Sequence, residues 1–142
     1  MNLLCNIILS LIFACIATIH IYWAFGGNWG KQQAVPTTTT GVSLFVPNFF
    51  SCFGVGIILI SFILLVNYGD LDFIPQKIYI SLLIIVAIIF LMRTIGDFKY
   101  VGFFKKVNET NFARLDRNYY SPLCLIIFIL IIVKLFNTIV NP

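Results

Sequence analysis

Charged residues are scarce in this 142-residue sequence, and their scarcity indicates which solvent surrounds the protein. Only 10% of the residues are Asp, Glu, Lys or Arg, whereas 61% are hydrophobic and the mean hydropathy is +1.03. Soluble globular domains carry about 25% charged residues, and a chain this short exposes a large share of its surface. These values exclude a soluble enzyme, a nucleic-acid-binding module and a disordered tail. The sequence predicts one small domain, residues 1–142, embedded in lipid.

Groups that carry out chemistry are equally few. His20 is the single histidine, and the four cysteines lie in apolar segments with no C-x-x-C pair. One histidine without thiols or carboxylates near it in sequence makes a poor metal site, and isolated cysteines do not suit a thiol–disulfide enzyme. Motifs for a phosphate-binding glycine loop, a nucleophile elbow or paired catalytic carboxylates are also missing. We therefore expect no metal and no cofactor.

Long apolar runs, in contrast, are plentiful. Four of them, residues 3–25, 44–67, 74–96 and 121–140, are each long enough to cross a hydrocarbon core of about 30 Å. Backbone groups in lipid must be hydrogen bonded within their own segment, so each run is predicted to be an α-helix. Ser121, followed by Pro122, suits the N-cap of the fourth helix. The expected fold is all-α: a four-helix transmembrane bundle with short loops and one interfacial loop rich in aromatic and basic residues.

Small and polar residues form a strip on each of the first two helices. The first strip contains Ser10, Ala14, Ala17, Ile21 and Ala24, and the second contains Asn48, Ser51, Cys52 and Gly56. Small residues let helix backbones approach closely in lipid, where packing and hydrogen bonds drive association. We expect these two strips to contact each other.

Basic residues are distributed unequally between the two sides of the membrane. Four spans place Lys77 and Lys134 toward the side of the chain termini, and the other seven basic residues lie toward the opposite side. Positive residues are retained in the cytoplasm, so both termini are predicted to lie outside the cell and both longer loops inside. Lys134 is expected to reach the membrane surface by snorkelling from the fourth helix.

The segment 97–120 interleaves basic and aromatic residues. Next to a bilayer, this mixture predicts a segment in the headgroup region, with its rings toward the hydrocarbon and its cations toward anionic lipid phosphates. The expected headgroup contacts are Lys99, Lys105, Lys106 and Arg114.

His20 is an ionisable residue within a span, which makes it a candidate functional residue. One interpretation is an interfacial aromatic belt of His20, Tyr22 and Trp23. The other is a polar pocket, because Arg93 and Asp97 reach the same membrane side from the third helix. Arg93 and Asp97 are most simply an ion pair, but Arg before Asp is the weaker order at this spacing, so a phosphate or carboxylate ligand also suits Arg93. The candidate ligand-binding residues are His20, Tyr22, Trp23, Arg93, Asp97 and Tyr100.

Several short motifs across the chain resemble a bacterial family of integral membrane proteins, domain of unknown function 3995. The matching positions are His20, Tyr22, Trp23, Gly26, Gly27, Trp29, Gly30, Arg93, Gly96, Asp97, Tyr100, Gly102, Phe103, Phe104, Arg114, Asp116, Ser121 and Pro122. The resemblance implies a small four-span protein of the bacterial inner (plasma) membrane, and it implies no activity.

Three functions fit this sequence. We favour a non-enzymatic membrane protein that binds a lipid, an apolar ligand or a membrane-protein partner at its cytoplasmic face, with homo-oligomers possible and no nucleic acid involved. The second is a membrane-embedded enzyme acting on a lipid or isoprenoid, with His20 as acid or base and Arg93 holding an anionic group. The third is a small transporter subunit with its path between protomers. A turnover assay separates the first two, since a binder returns its ligand unaltered.

Overall fold

The computed structural model describes residues 2–69 and 74–140, and this part of the chain forms four long helices. The first three are α1 (Asn2–Ala24), α2 (Phe49–Tyr68) and α3 (Gln76–Ile95). The fourth is continuous through α4 (Asn111–Leu115), a π-helical turn (Asp116–Tyr120) and α5 (Ser121–Val140). Each is long and apolar enough to cross a membrane. The predicted all-α fold with four spans is confirmed.

The second helix starts later than expected. Residues 44–48 lie outside it, and α2 begins at Phe49. Pro47 disfavours helical backbone at Val46, and Asn48 then closes a capping box: its Oδ1 accepts from the N–H of Ser51 at 2.8 Å, while Ser51 Oγ accepts from the N–H of Asn48 at 3.1 Å. Local capping therefore fixes this boundary, whereas hydropathy extends the predicted helix into the irregular residues that precede it.

The fourth helix starts earlier than expected, so the prediction of Ser121 as its N-cap is wrong. Ser121 is itself helical, and Thr110 is the cap, with its side chain accepting from the N–H of Ala113 at 3.1 Å. Pro122 has no N–H, and its ring would clash with the carbonyl of Asn118 in a regular α-helix. The π-helical turn just before it widens the helix, and the Ser121 N–H donates to the carbonyl of Asp116.

The helices pack as two antiparallel pairs, α1 with α2 and α3 with α5. In the first pair a Cβ placed on Gly56 would lie 2.8 Å from the Ile21 side chain, and Asn67 Nδ2 donates to Ser10 Oγ at 2.7 Å. The expected contact between the small-residue strips of the first two helices is therefore confirmed at Gly56 and Ile21. The pairs meet through Phe13, Phe62 and Phe90, whose ring centroids lie 5.7–6.3 Å apart.

This packing places the two longer loops at the same end of the bundle. Gln76 Nε2 donates to the carbonyl of Thr138 at 3.4 Å, and Gly69 lies against the ring of Tyr79, so the C-terminus of α2 and the start of α3 lie at the end where α5 finishes. Residues 25–48 and 96–110 lie at the opposite end, which we call the two-loop end. The end that carries the N-terminus of α1 and the C-terminus of α5 is called the termini end.

Lys134 contradicts the prediction that its ammonium reaches the membrane surface. Its side chain is completely buried, and Nζ lies 5.7 Å from the centroid of the buried Tyr79 ring. Because α3 and α5 pack against each other at this level, the side chain is enclosed between them rather than extended along the lipid. The interaction of the cation with the ring offsets part of the cost of desolvating the charge.

Candidate functional site

The most concentrated polar site at the two-loop end is built around one carboxylate, that of Asp116. Its side chain is 0% exposed and accepts three hydrogen bonds. Arg93 Nη2 donates to Oδ1 at 2.9 Å, while Lys105 Nζ and the Gly102 N–H donate to Oδ2 at 2.9 and 2.8 Å. A buried carboxylate is stable when its oxygens are bonded in this way. We call Asp116, Arg93 and Lys105 the ionic triad.

Each member of the triad comes from a different part of the chain. Arg93 lies in the last turn of α3, Lys105 in the loop 96–110, and Asp116 at the start of the π-helical turn. Lys105 Nζ also donates to the carbonyl of Gly102 at 3.0 Å, and its side chain is fully buried. Two cations share one carboxylate, so the triad carries one net positive charge.

Two glycines allow the loop to fold onto the end of α3. Gly96 and Gly102 both have φ of +87°, which is favourable for glycine and costly for other residues. A Cβ on Gly96 would lie 1.8 Å from the Val101 oxygen, and one on Gly102 would lie 2.3 Å from the Ile95 oxygen. The close approach of these backbones brings the Gly102 N–H to Asp116.

Asp97 shapes the same loop from its other side. Its Oδ1 accepts from the N–H groups of Lys99, Tyr100 and Val101 at 2.9, 2.7 and 2.9 Å. Burial favours the neutral acid, but these N–H groups outweigh it and hold the pKa of Asp97 below its ordinary value. The expected ion pair between Arg93 and Asp97 is wrong, because Arg93 turns to Asp116 and Asp97 caps the backbone that follows it.

The loop 96–110 and the adjoining α4 expose cations and rings. Lys99, Lys106 and Arg114 are exposed, and Lys99 Nζ lies 5.1 Å from the ring centroid of half-buried Tyr100. Phe98 and Phe104 are also exposed, with ring centroids 6.4 Å apart. Lys105 departs from the expectation that it contacts headgroups, because its ammonium is buried on Asp116. We call the exposed set Phe98, Lys99, Phe104, Lys106 and Arg114 the basic–aromatic surface.

His20, Tyr22 and Trp23 form a separate group at the end of α1. His20 Nδ1 lies 2.9 Å from the carbonyl of Ile16, and its ring centroid lies 5.1 Å from that of Trp23. Since a carbonyl only accepts, Nδ1 donates this hydrogen bond. Trp23 Nε1 donates to the carbonyl of Trp29 at 2.8 Å, and the Tyr22 ring packs on Gly27.

His20, Arg93 and Asp97 therefore share one end of the bundle without forming one cluster. Among residues 2–69 and 74–140, no hydrogen bond, ion pair or ring contact joins His20 to Arg93 or to Asp97. In the same ranges, no three His, Cys, Asp or Glu residues come together as a metal site. The geometry supports hydrogen bonding and charge interactions at the ionic triad and the basic–aromatic surface.

Sequence reasoning missed Asp116 and the role of Gly102. Both belong to the positions that match the family motifs, but the segment 97–120 was expected to be a loop along its whole length. Asp116 pairs with Arg93, 23 residues away, only because the fourth helix extends back to Asn111. The segment also contains Asp97 and Glu109, so its composition does not single out Asp116.

Comparison with known proteins identifies one family. The model of a family described as "Protein of unknown function (DUF3995)" matches residues 13–131. This range contains His20 and its neighbours, the ionic triad and the whole basic–aromatic surface. No curated protein and no solved structure matches the chain.

Proposed function

The chain belongs to the DUF3995 family, whose description names no activity. From the geometry of the site, we propose that it is a non-enzymatic multi-pass protein of the bacterial plasma membrane that binds anionic lipid. The lipid is bound at the two-loop end, which faces the cytoplasm. Both chain termini then lie outside the cell.

The observation that carries the proposal is that the ionic triad holds the loop which exposes most of the basic–aromatic surface. The buried Asp116 holds the loop 96–110 to α3 and to the fourth helix, so Lys99 and Lys106 extend from a defined backbone. Fixed cations and rings lose less freedom on binding than those of a mobile loop.

Depth in the membrane supports the same proposal. The helices α2 and α3 have 20 residues each, about 30 Å at 1.5 Å per residue, which matches the hydrocarbon core. The loops that leave their ends therefore lie at the headgroups. Exposed rings such as Phe98 and Phe104 can be buried at the boundary between headgroups and acyl chains, and each cation next to an anionic lipid surface contributes about 1 kcal/mol.

Lipid titration followed by native mass spectrometry tests the proposal. Delipidated protein in mild detergent is titrated with phosphatidylglycerol, comparing wild type, Lys106→Ala and Lys77→Ala. Both lysines are exposed, but Lys77 lies in the first turns of α3 at the termini end. We expect Lys106→Ala to weaken binding about fivefold, since it removes about 1 kcal/mol of attraction, and Lys77→Ala to leave it unchanged.

Two results would refute the proposal. Equal weakening by Lys106→Ala and Lys77→Ala would mean that lipid is attracted by charge at either end. A change in the mass of the bound lipid over the incubation would mean that the protein turns it over, which a binder does not do.

A further inference from the structure

We infer that the guanidinium of Arg93 is a phosphate-binding group, and that it takes the phosphodiester of one lipid at the two-loop end. This inference rests on the proposed function and deepens it, because it assigns a specific contact to the ligand. The basic–aromatic surface attracts anionic lipid generally, whereas Arg93 would bind one phosphate at a defined position.

The first observation is an unused donor. Arg93 Nη2 donates to Asp116, but Nη1 is buried and has no hydrogen-bond partner among the described residues. A buried donor without an acceptor carries its full desolvation cost. The Arg93 side chain as a whole is 33% exposed, so the guanidinium lies just beneath the surface. To bond Nη1, an acceptor must displace the groups that now cover this atom.

The second observation is an uncompensated charge. Arg93 and Lys105 share the single carboxylate of Asp116, which leaves one positive charge without a counter-charge. Asp97 forms no ion pair with Arg93 or Lys105 among the described residues, because its Oδ1 is directed at three backbone N–H groups of its own loop. Tyr120 and Cys124 also lie within electrostatic range of Arg93, and their side chains are ordinarily neutral at pH 7. A second anion at this position would balance the charge.

The chemistry of the site favours a phosphate as that anion. A guanidinium is a planar fork that presents parallel N–H groups to phosphate or carboxylate oxygens. At the ends of four membrane-spanning helices, the abundant anion is the phosphodiester of the lipids themselves. Free inorganic phosphate offers the same oxygens, so the experiment must separate the two sources.

Affinity measurements on matched arginine variants test the inference. Phosphatidylglycerol and diacylglycerol, which has no phosphate, are titrated into wild type, Arg93→Lys and Arg117→Lys. Lysine at position 93 keeps the charge and a donor for Asp116 but removes the fork. Arg117 is exposed at the same end and donates to Asn108. We expect Arg93→Lys to weaken phosphatidylglycerol binding about tenfold, Arg117→Lys to change it less than twofold, and diacylglycerol binding to be equal in all three proteins.

Nuclear magnetic resonance of wild type tests the same contact without relying on the Arg93 variant. The chain has only three arginines, Arg93, Arg114 and Arg117, so the guanidinium signals of ¹⁵N-arginine-labelled protein can be assigned from Arg114→Lys and Arg117→Lys. Phosphatidylglycerol should shift the Arg93 signal most, and diacylglycerol should not shift it. An unmoved Arg93 signal would overturn the inference, as would unchanged affinity of a folded Arg93→Lys protein.

The outcomes also separate this inference from the function on which it rests. If Lys106→Ala weakens phosphatidylglycerol binding while Arg93→Lys does not, the function stands and the Arg93 contact is wrong. If neither variant has an effect, both are wrong. If millimolar inorganic phosphate displaces the lipid and shifts the Arg93 signal, free phosphate is the ligand and the lipid assignment is overturned. Failure of phosphate to compete supports the lipid.

Discussion

The carboxylate of Asp116 joins three segments that are distant in sequence. It binds Arg93 from α3, and Lys105 and the Gly102 N–H from the loop. Both Asp116 and Lys105 have fully buried side chains, so each charge was removed from water and depends on the other. In such an arrangement the net stabilisation by the pair is small, but removal of one partner is costly because the other is left uncompensated.

We therefore predict that Asp116→Asn destabilises the protein by about 3–5 kcal/mol, the usual cost of breaking a buried ion pair. Asparagine keeps the shape of the side chain and one acceptor oxygen, but its NH2 group faces donors where the second carboxylate oxygen accepted, so the loss combines the missing charge with lost hydrogen bonds. Thermal unfolding in detergent, followed by circular dichroism, should show a clear fall in the unfolding temperature.

Two variants show whether charge is the cause. Glu109→Gln makes the same chemical change at an exposed position and should alter stability by no more than about 0.5 kcal/mol. Asp116→Asn/Lys105→Met removes the uncompensated lysine charge and should recover part of the lost stability. An Asp116→Asn protein that unfolds at the wild-type temperature would show that the triad does not stabilise the fold.

A site residue could be predicted from the sequence only where its place relative to an apolar span indicated its role. Arg93 was recognised as a candidate because it is a charge near the end of an apolar span. Lys105 and Lys106 are adjacent and chemically identical, yet one is buried on Asp116 and the other is exposed. Their difference depends on the direction of each side chain in a folded loop, which no local pattern of the sequence specifies.

The helices were more predictable than the individual site residues because of the constraint that lipid places on the backbone. A span satisfies its own backbone hydrogen bonds, so composition over about 20 residues is enough to specify it. The two wrong boundaries, at Phe49 and Asn111, lie at polar caps, where Asn48 and Thr110 decide the start. Hydropathy averages over a window and does not detect single capping side chains.

The loop 96–110 depends on a backbone contact that only glycine permits, which leads to a prediction for Gly102. Alanine there must adopt φ of +87°, at a cost of about 1–2 kcal/mol. Its Cβ would also meet the Ile95 carbonyl oxygen at 2.3 Å. We expect Gly102→Ala to destabilise the protein by more than the φ cost alone, and to weaken phosphatidylglycerol binding because the loop moves away from Asp116.

Gly41→Ala is the matched control for this prediction. Gly41 has φ of +82°, but nothing lies within 4 Å of a Cβ at that position. Its substitution therefore reports the φ cost without the backbone clash. Equal losses of stability in Gly41→Ala and Gly102→Ala, measured by thermal unfolding, would mean that the close approach to Ile95 is relieved without cost.

The net charge of the protein is divided unequally between the two ends of the bundle. Seven of the nine basic residues, but only three of the five acidic ones, lie in the part of the sequence that leads into the two-loop end. The net charge of +4 therefore belongs to that end, and the termini end is balanced. The same asymmetry that supports lipid binding also predicts the direction in which the chain crosses the membrane.

We predict that both termini lie outside the cell, because short loops rich in Lys and Arg are retained in the cytoplasm. Alkaline phosphatase folds only outside and green fluorescent protein fluoresces only inside, so fusions of both after residue 142 and after Gly41 report the two ends. Phosphatase should be active after residue 142, and fluorescence should appear after Gly41.

The charge-reversal variant tests the cause of this orientation. Lys99→Glu/Lys106→Glu/Arg114→Glu reverses three exposed charges at the two-loop end and should produce mixed orientation. A fluorescent C-terminal fusion of the wild-type chain would reverse the topology and place the basic–aromatic surface outside, where the cytoplasmic leaflet could not be its ligand.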